Sequence, residues 1–404
     1  MKKGLLLSVI ASTMIFAGGD IAPVEPAVVA PAADCSDFYG QVGAYFRTQA
    51  TDTAGLFDSE DPTNVYTKFS VTATIGVEKE IFTGIGFGAE VAGQTTLGLD
   101  STDDGSVPFI TGPRTGSDSE SGELSQLYMT ASFNNTAVKV GRFALPASLS
   151  PFAWTDTTAG IKDTTFEGVV VANTDIADTT IYGVYVRNTV DWGTRTAVGT
   201  DDLGLFALGF VNKSVVDTTI SAVGYYLPDY YTPDDGLYAG FMTVDTKFDA
   251  YKASFQAAYV DGDLPGNVDG TMAVGAKISG NFGMFDASLA ASYINDGAYP
   301  LSIAGGYWLY TANEVEDILV AGSATTAILA KVGAKVGPGK LWGSVGYWAA
   351  DDDANTDALG ARIGYNFKVA GIGTTINYRY KNVTADGAED AETHQVRIEA
   401  SYKF

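Results

Sequence analysis

Apolar and polar side chains alternate along most of this chain with a period of two residues, and this alternation constrains the fold more than any other feature. Successive side chains of a β-strand point to opposite faces of the sheet. The last segment shows an apolar face and a polar face: Val396, Ile398, Ala400, Tyr402 and Phe404 against Gln395, Arg397, Glu399, Ser401 and Lys403. Such strands need water on one side and an apolar medium on the other.

Segments of this kind recur along the sequence and predict eighteen strands. Many of them reach the roughly 9–11 residues that a tilted membrane-spanning strand needs. The connections are alternately short and long, and the long ones fall at 100–122, 144–164, 189–203, 228–236, 295–324 and 382–393. Tight turns at one end, longer loops at the other and an even strand number are typical of membrane barrels. The sequence therefore predicts an all-β fold, a transmembrane antiparallel β-barrel of 18 strands.

A soluble β-sandwich or propeller is the main alternative for so many strands. Its inner faces would carry large aliphatic side chains, and its strands would usually be about five or six residues long. Here the apolar face is built largely from Ala, Gly, Val and Ile, while aromatic side chains crowd the segment ends. These aromatic residues include Phe38, Tyr39, Phe133, Tyr225, Tyr226, Phe248, Tyr402 and Phe404. Aromatic girdles at both membrane interfaces favour the barrel.

The N-terminus predicts export from the cytoplasm. Lys2 and Lys3 precede an apolar stretch at 5–16, and small residues follow it. This pattern is typical of a cleaved signal peptide, here 1–19. The apolar stretch is shorter than the about 20 residues of a membrane-spanning helix. A barrel exported in this way belongs in a bacterial outer membrane, where it would cross the lipid many times.

The region after the signal peptide divides into two parts. Three prolines make residues 20–34 an extended linker, because proline disrupts helices and central strands. Residues 35–404 form the predicted barrel domain. Cys35 is the only cysteine, so no internal disulfide can form. The Ala-Ala-Asp that precedes Cys35 does not suit lipidation, which favours an incidental thiol.

The chain is strongly acidic, with 24 Lys and Arg against 48 Asp and Glu, a formal net charge of -24. Removal of the signal peptide takes away Lys2 and Lys3, and the charge changes from -24 to -26. This balance excludes a nucleic-acid-binding protein, because phosphate contacts need basic patches. It favours surfaces that attract cations.

Several stretches of the sequence resemble the OprD-like major outer-membrane porins. They are Gly-Arg-Phe-Ala-Leu at 141–145, Leu-Ser-Pro-Phe-Ala-Trp at 149–154, Thr165 to Ile176, Asp178 to Val186, Cys-Ser-Asp-Phe-Tyr-Gly-Gln at 35–41 and the terminal aromatic strand. The specific resemblance covers about a quarter of the chain, and elsewhere only the strand rhythm matches. It implies a porin barrel, often a homotrimer, whose third loop folds inward. It also implies a basic wall that guides solute carboxylates past an acidic loop.

A barrel of this size encloses a water-filled lumen. Its selectivity depends on the loops and charges that narrow the lumen. The third long loop, 144–164, is the candidate constriction loop, because apolar bulk in a hydrophilic loop indicates packing against the inner wall. Its candidate residues are Phe152, Trp154, Asp156, Lys162 and Asp163. An ordinary surface loop or a subunit contact is the alternative.

Basic side chains lie on the polar faces of several late strands. The candidate pore-lining residues are Arg47, Lys331, Lys335, Arg362, Arg379 and Arg397. The last three strands present one arginine each at a similar depth, and closure of the barrel brings Arg47 beside them, somewhat higher. Arg142 is left out of this set, because it shares a face with Val140 and would need a bulge to point inward. Scattered lumen charges, which any porin has, are the alternative.

The outside loops are acidic, and one acidic run is dense enough to consider a cation site. Its candidate residues are Asp351, Asp352, Asp353 and Asp357. Ca²⁺ takes oxygen ligands of this kind. The run lacks the glycine and the terminal glutamate of a calcium-binding loop, so solvated surface charge is the favoured interpretation. The sequence predicts no dedicated metal site and no cofactor.

The leading hypothesis is passive diffusion of small hydrophilic solutes and ions through the barrel, with a net cation preference from its acidic mouth. An enzyme is not favoured: His394 is the only histidine, and no Gly-x-Ser-x-Gly motif occurs. The alternative from another class is a surface adhesin or receptor on a barrel scaffold, using the loops near 100–122 and 295–324. The expected partners are outer-membrane lipid, the solutes and two further copies of the chain.

Overall fold

The computed structural model describes most of the predicted barrel domain. The described residues are 37–51, 55–56, 67–97, 120–145, 164–191, 194–199, 203–228, 230, 236–262, 269–297, 309–311, 323–351 and 356–404. The predicted signal peptide and linker lie outside them, and their boundaries stay predictions. Within the described residues, no helix has the length and hydropathy needed to cross a membrane.

Nineteen β-strands form one antiparallel sheet in this part of the chain. They are β1 (Phe38–Thr51), β2 (Lys68–Phe82), β3 (Ile85–Thr95), β4 (Glu120–Phe133), β5 (Thr136–Ala144), β6 (Thr165–Asn173), β7 (Thr179–Asp191), β8 (Thr194–Ala197), β9 (Leu205–Asn212), β10 (Thr218–Leu227), β11 (Leu237–Phe248), β12 (Tyr251–Gly262), β13 (Thr271–Phe282), β14 (Phe285–Ile294), β15 (Ala324–Val336), β16 (Gly339–Asp351), β17 (Asp357–Val369), β18 (Ile372–Thr384) and β19 (Ala391–Lys403).

The sheet closes on itself because β19 pairs with β1. All other strands pair with their neighbours along the chain, with one exception. The short β8 pairs only with β7, and β7 continues the ring by pairing with β9. Leaving β8 out of the nineteen strands gives a closed ring of eighteen. The predicted antiparallel barrel and its strand number are confirmed.

Tight turns join the strands at one end of the barrel, which we call the short-turn end. Asn134 and Asp249 each have a φ of 52° there, and Gly84 and Gly283 have φ of 79° and 70°. Two-residue hairpin turns require positive φ, which Asn, Asp and Gly adopt at low cost. The connections at the opposite end are longer, as the sequence predicts, and much of their length lies outside the described residues. We call that end the long-loop end.

The barrel closes at the short-turn end through Gly40 of β1 and Phe404, which directly follows β19. Gly40 N donates to Phe404 O and Phe404 N donates to Gly40 O, both at 3.0 Å. The Phe404 ring lies over Gly40, where a Cβ atom would collide with it. The terminal aromatic residue therefore covers the seam between the first and the last strand.

The outer face of the barrel is apolar and the inner face of its last strands is polar. Ile398 and Tyr402 are exposed on β19, whereas Arg397 on the opposite face is 6% exposed. Large aromatic side chains surround the outer face at the short-turn end. They are Phe82, Phe133, Phe248, Tyr251, Phe282 and Phe285. Such a girdle suits a membrane interface.

The inner wall is polar on only part of its circumference. From β6 to β13 it carries buried apolar side chains, which we call the apolar sector. They include Val170, Val184, Val186, Leu205, Ala207, Val223, Tyr225, Leu227, Leu237, Ala239, Ala258, Val260 and Ala273. Polar side chains such as Ser254, Gln256 and Lys277 share the inner wall of β12 and β13, so the polar-inside alternation expected along the chain holds only in part of this sector. Leu145 and Leu309, from two long connections, pack into the same cluster. The long connections thus contribute polypeptide to the interior of the barrel.

Candidate functional site

A row of directly paired polar residues runs around the inner wall from strand to strand. In order from β12 to β1 it consists of Lys252, Ser279, Ser288, Lys331, Ser344, Arg362, Arg379, Gln395 and Gln49. We call this set the basic row. It contains lysine and arginine but no carboxylate. Because the Nζ of Lys252 is 3.0 Å from Oδ1 of Asp245, its positive charge lies mainly with Lys331, Arg362 and Arg379.

The basic row crosses the barrel from one end to the other. Lys252 is the second residue of β12, at the short-turn end, whereas Gln49 lies near the last residue of β1 at the long-loop end. Paired residues line up perpendicular to their strands, and barrel strands are tilted by about 35–45° from the axis. The row therefore rises steadily through the lumen. A solute that crosses the barrel meets members of the row along its whole path.

The arginines gather where the row passes from β17 to β1. Arg362 lies directly opposite Arg379, and Arg397 lies directly opposite Arg47. Arg397 also pairs with Asn377, which is two residues before Arg379 on β18. The register thus brings the four predicted arginines into one patch, two pairs side by side. The sequence predicts that Arg47 lies somewhat higher in the barrel than the other arginines. Arg47 pairs directly with Arg397, so any difference in height between these two residues comes only from the tilt of the strands.

Neighbouring side chains hold these arginines against the wall. Arg379 and Arg397 are 8% and 6% exposed. The Nε of Arg397 donates to Oε1 of Gln395. The Arg362 guanidinium lies 5.9 Å from the centroid of the Trp342 ring, a cation–π distance. The charges are therefore oriented by the wall before any solute arrives.

The two predicted lysines occupy different places. Lys331 is partly buried in the basic row, opposite Ser344. Lys335 is exposed near the short-turn end of β15, opposite Lys340. The Nζ of Lys340 is 2.9 Å from a carboxylate oxygen of Asp286. Lys331 thus belongs with the arginines, and Lys335 lies at the rim.

Carboxylates on the inner face of β2, β3 and β4 were not among the predicted site residues. They are Glu78, Glu90 and Glu123, which we call the acidic sector. The phenol of Tyr39 hydrogen-bonds to Glu90, and that of Tyr128 to Glu78. Ser125 Oγ donates to Glu90 Oε1 at 2.6 Å. The period-two pattern places Glu78 and Glu90 on polar faces, so this signal was available in the sequence.

Residues 309–311 of the long connection between β14 and β15 lie inside the barrel. Tyr310 N donates to Gln256 Oε1 of β12 at 3.0 Å. The Thr311 hydroxyl hydrogen-bonds to that of Ser292 on β14. Leu309 packs into the apolar sector. For these three residues the expectation of a surface-binding loop is wrong, because the inner wall offers both hydrogen-bond partners and apolar contacts.

The predicted constriction residues Phe152, Trp154, Asp156, Lys162 and Asp163 all lie outside the described residues, and their role stays a prediction. The two ends of their loop are described. Leu145 and Thr164 are each 8% exposed, and Leu145 contacts the apolar sector. Both ends of the loop are thus buried where it leaves and re-enters the wall.

The acidic run at the long-loop end is described only in part. Asp351 and Asp357 are the end residues of β16 and β17, and Tyr347 hydrogen-bonds to Asp357. Asp352 and Asp353 lie outside the described residues. Among the residues that are described, no three His, Cys, Asp or Glu side chains converge on a metal-binding position. Whether the run binds a cation or is only solvated stays a prediction.

Comparisons with known proteins place this architecture among solved structures. No protein-family model matches the sequence, and no curated protein matches it. The structure is similar to Pseudomonas aeruginosa OccK3 (OpdO), with a TM-score of 0.63, 15% identity, and coverage of 91% of this chain and 96% of the other. It is also similar to P. aeruginosa OccK8 (OprE), with a TM-score of 0.64, 13% identity and coverage of 91% and 98%.

A third similar structure is Acinetobacter baumannii OccAB3, with a TM-score of 0.64, 14% identity and coverage of 91% and 100%. The coverage is nearly complete in both directions, so the likeness extends over the whole barrel. At these identities it is a likeness of fold. The chain therefore has the fold of the Occ outer-membrane porins, the OprD-like group that its sequence resembles.

Proposed function

We propose that this protein is an outer-membrane porin, a water-filled channel for passive diffusion of small hydrophilic solutes and ions. One observation carries the proposal: a closed barrel, apolar outside, encloses a basic row that runs from one end of the lumen to the other. A barrel of eighteen strands is too wide for side chains alone to fill. In this proposal the protein uses no cofactor and catalyses no reaction. It is made as an exported precursor whose signal peptide is cleaved.

The basic row would guide the anionic group of a solute, such as a carboxylate. Neighbouring strands are about 4.8 Å apart, so the long side chains of the adjacent Arg362 and Arg379 reach the same solute. A carboxylate can leave one guanidinium while it already contacts the next. Passage needs contacts that favour entry and are still weak and numerous enough to allow exit. Charge-assisted hydrogen bonds in series provide this.

The lumen would be narrowed from the side of the apolar sector. The sequence predicts that loop 144–164 packs against the inner wall, and we propose that its apolar residues pack on this sector. The burial of Leu145 and Thr164 supports this, and so does the presence of residues 309–311 on the same wall. The aqueous path would then run between the basic row and the acidic sector.

The net ion preference would be for cations. The formal charge of -24 and the acidic long loops concentrate cations at the mouth, and the acidic sector adds carboxylates inside. The basic row opposes this preference locally. Removing its arginines should therefore increase the cation preference of the channel.

The experiment is a reversal-potential measurement on the purified protein in a planar bilayer with a KCl gradient. We expect Arg379→Gln and Arg397→Gln to shift the reversal potential toward greater K⁺ preference with the fold intact. Arg187→Gln is the matched control, because Arg187 is exposed at the long-loop end of β7. Clear anion preference of the wild type would refute the selectivity claim. Unchanged permeation in both variants would remove these arginines from the mechanism.

We also propose that the porin assembles as a homotrimer. A depression of about 830 Å³ on the outer wall of β7 and of β9 to β13 supports self-association. Its floor includes Gly224, Gly240, Ala222 and Ala257. Small residues let neighbouring membrane proteins approach closely. Cross-linking in mild detergent should give a three-subunit product; a single-subunit species throughout would contradict it.

The adhesin alternative loses part of its support from the position of residues 309–311. They belong to one of the two loops that would carry adhesion, and they are held inside the barrel by Gln256 and Ser292. Adhesion would survive blocking of the pore, whereas conductance would not. We therefore do not propose adhesion as a second function.

A further inference from the structure

We propose that Tyr310 is a specificity-determining residue that covers Lys277 and so withholds one positive charge from the pore. The inference rests on the proposed channel function and goes beyond it. Tyr310 is a loop residue on the inner wall, away from the arginine patch.

Lys277 lies next to the basic row. It is on the inner face of β13, two residues before Ser279, which is a member of the row, and it pairs with Ser254 and Ala290. Despite its position on the lumen wall, Lys277 is only 7% exposed. The lysines of the basic row, Lys252 and Lys331, are more exposed than this, whereas the arginines Arg379 and Arg397 are as little exposed, at 8% and 6%. A lysine in reach of the solute path is thus covered.

The ring of Tyr310 provides this cover. The Nζ of Lys277 lies 5.0 Å from the centroid of the Tyr310 ring. An ammonium over an aromatic face is attracted by the ring quadrupole, and the attraction grows when water is excluded. The ring therefore stabilises Lys277 where it is and at the same time stands between its ammonium group and the lumen.

Hydrogen bonds on both sides keep the Tyr310 ring in place. Its backbone N donates to Gln256 Oε1 at 3.0 Å, and Gln256 is fully buried. Its phenol hydrogen-bonds to Ser254, whose hydroxyl donates to Asp245 Oδ1 at 2.5 Å. These contacts fix both ends of the residue on the inner face of β12, and Ser254 links it to Asp245 of β11.

Removing the cover should let a solute anion approach the ammonium group directly. Coulomb energy in water varies inversely with distance, and shortening the approach from about 8 to 4 Å doubles it. The gain at contact is close to the thermal energy, so we expect a roughly twofold rise in the Cl⁻/K⁺ permeability ratio. Conductance should rise as well, because the phenol no longer occupies the lumen.

The test combines Tyr310→Ala with Lys277→Gln in planar bilayers under a KCl gradient. We expect Tyr310→Ala to raise the permeability ratio and the conductance, and Lys277→Gln alone to change the ratio little. In the double variant the conductance gain should remain while the shift in ratio disappears. Tyr310→Phe keeps the ring and should behave like the wild type. Tyr293→Ala, on the outer face of β14, is the control for loss of a tyrosine.

A second readout does not depend on ion flow. In the wild type, Lys277 should react with a water-soluble amine-acylating reagent far more slowly than exposed Lys335, and Tyr310→Ala or Tyr310→Leu should remove this protection. Tyr310→Leu serves if the alanine variant does not fold. Persistence of the ratio shift in the double variant, or equal acylation of both lysines in the wild type, overturns the inference. A wild type that does not conduct would instead refute the channel proposal.

Discussion

At the scale of single residues, two glycines of the inner wall make room for two tyrosines. The Tyr39 ring lies over Gly76, and the Tyr128 ring lies over Gly88, so a Cβ atom at either glycine would collide with the ring. Lying flat on the wall, Tyr128 places its phenol at Glu78. The Nζ of Lys139 lies 4.0 Å from the centroid of the same ring. The shape of the acidic sector thus depends on residues without a side chain.

Replacing Gly88 by valine should destabilise the barrel. The new side chain overlaps the Tyr128 ring, and overpacking of this kind costs about 1–3 kcal/mol. Urea unfolding in detergent micelles, followed by tryptophan fluorescence, measures the change. Gly183→Val is the matched control, because a Cβ at Gly183 in β7 meets nothing within 4 Å. Equal stability of the two variants would show that the ring does not need the glycine.

Asp175, in the short connection between β6 and β7, gives a prediction about pH. The Nδ2 atoms of Asn173 and Asn135 each donate to its carboxylate at 2.8 Å. These hydrogen bonds, first that from Asn173, lower the pKa of Asp175 below its ordinary value. A lowered pKa in the folded state means that the stabilisation is present above the ordinary pKa of aspartate, about 3.9. It is lost as the pH falls through the lower pKa of the folded protein.

The melting temperature in detergent, compared between about pH 7 and pH 3, tests this linkage. We expect the wild type to lose more stability over this range than Asp175→Asn, which has no carboxylate to protonate. The difference should be small, because the group is fully exposed. Identical pH slopes for the two proteins would exclude the contribution.

At the scale of strands, a charged cluster joins four neighbouring elements near the long-loop end. Glu167 of β6 accepts hydrogen bonds from Arg142 of β5 at 2.8 Å, Asn188 of β7 at 2.9 Å and Arg195 of β8 at 2.6 Å. Arg142 pairs with the exposed Leu127 of β4, so it lies on the outer face, in agreement with its exclusion from the pore-lining set. The cluster holds the short β8 onto the barrel.

Glu167→Gln should loosen this end of the barrel. It removes a carboxylate that is shared by two guanidinium groups, and hydrogen bonds to charged groups contribute about 1.5–3 kcal/mol. Arg195→Gln should cost less, about 0–1 kcal/mol, because Arg195 is 59% exposed. Hydrogen exchange of β7 and β8 in detergent would locate the loosening. Faster exchange in β2 and β3 instead would argue against a local clamp.

At the scale of the whole molecule, the barrel has different chemistry on its two faces and around its circumference. The outer face is apolar and suits lipid, while the inner wall divides into the basic row, the acidic sector and the apolar sector. Only the first two suit water. The aqueous path should therefore lie off the barrel axis, along the side that runs from β12 through β1 to β4.

The distribution of apolar side chains predicts how the purified protein behaves. We expect it to stay folded and monodisperse in detergent and to aggregate when the detergent is removed, because the exposed apolar band needs an apolar environment. Size-exclusion chromatography with circular dichroism checks this. A folded, monodisperse protein in plain buffer would contradict the membrane-barrel interpretation and the transport role with it.

The sequence by itself determined the barrel, because a period of two residues and positive-φ turn residues are local properties. It also placed Arg362, Arg379 and Arg397 on polar faces, since strand parity follows from neighbouring residues. Only the tertiary structure decided that these arginines continue a row to Lys252, because that row depends on the register of every strand pair. Only the tertiary structure, too, shows the contact between Tyr310 and Lys277. These residues are far apart in the sequence, and no local pattern encodes their contact.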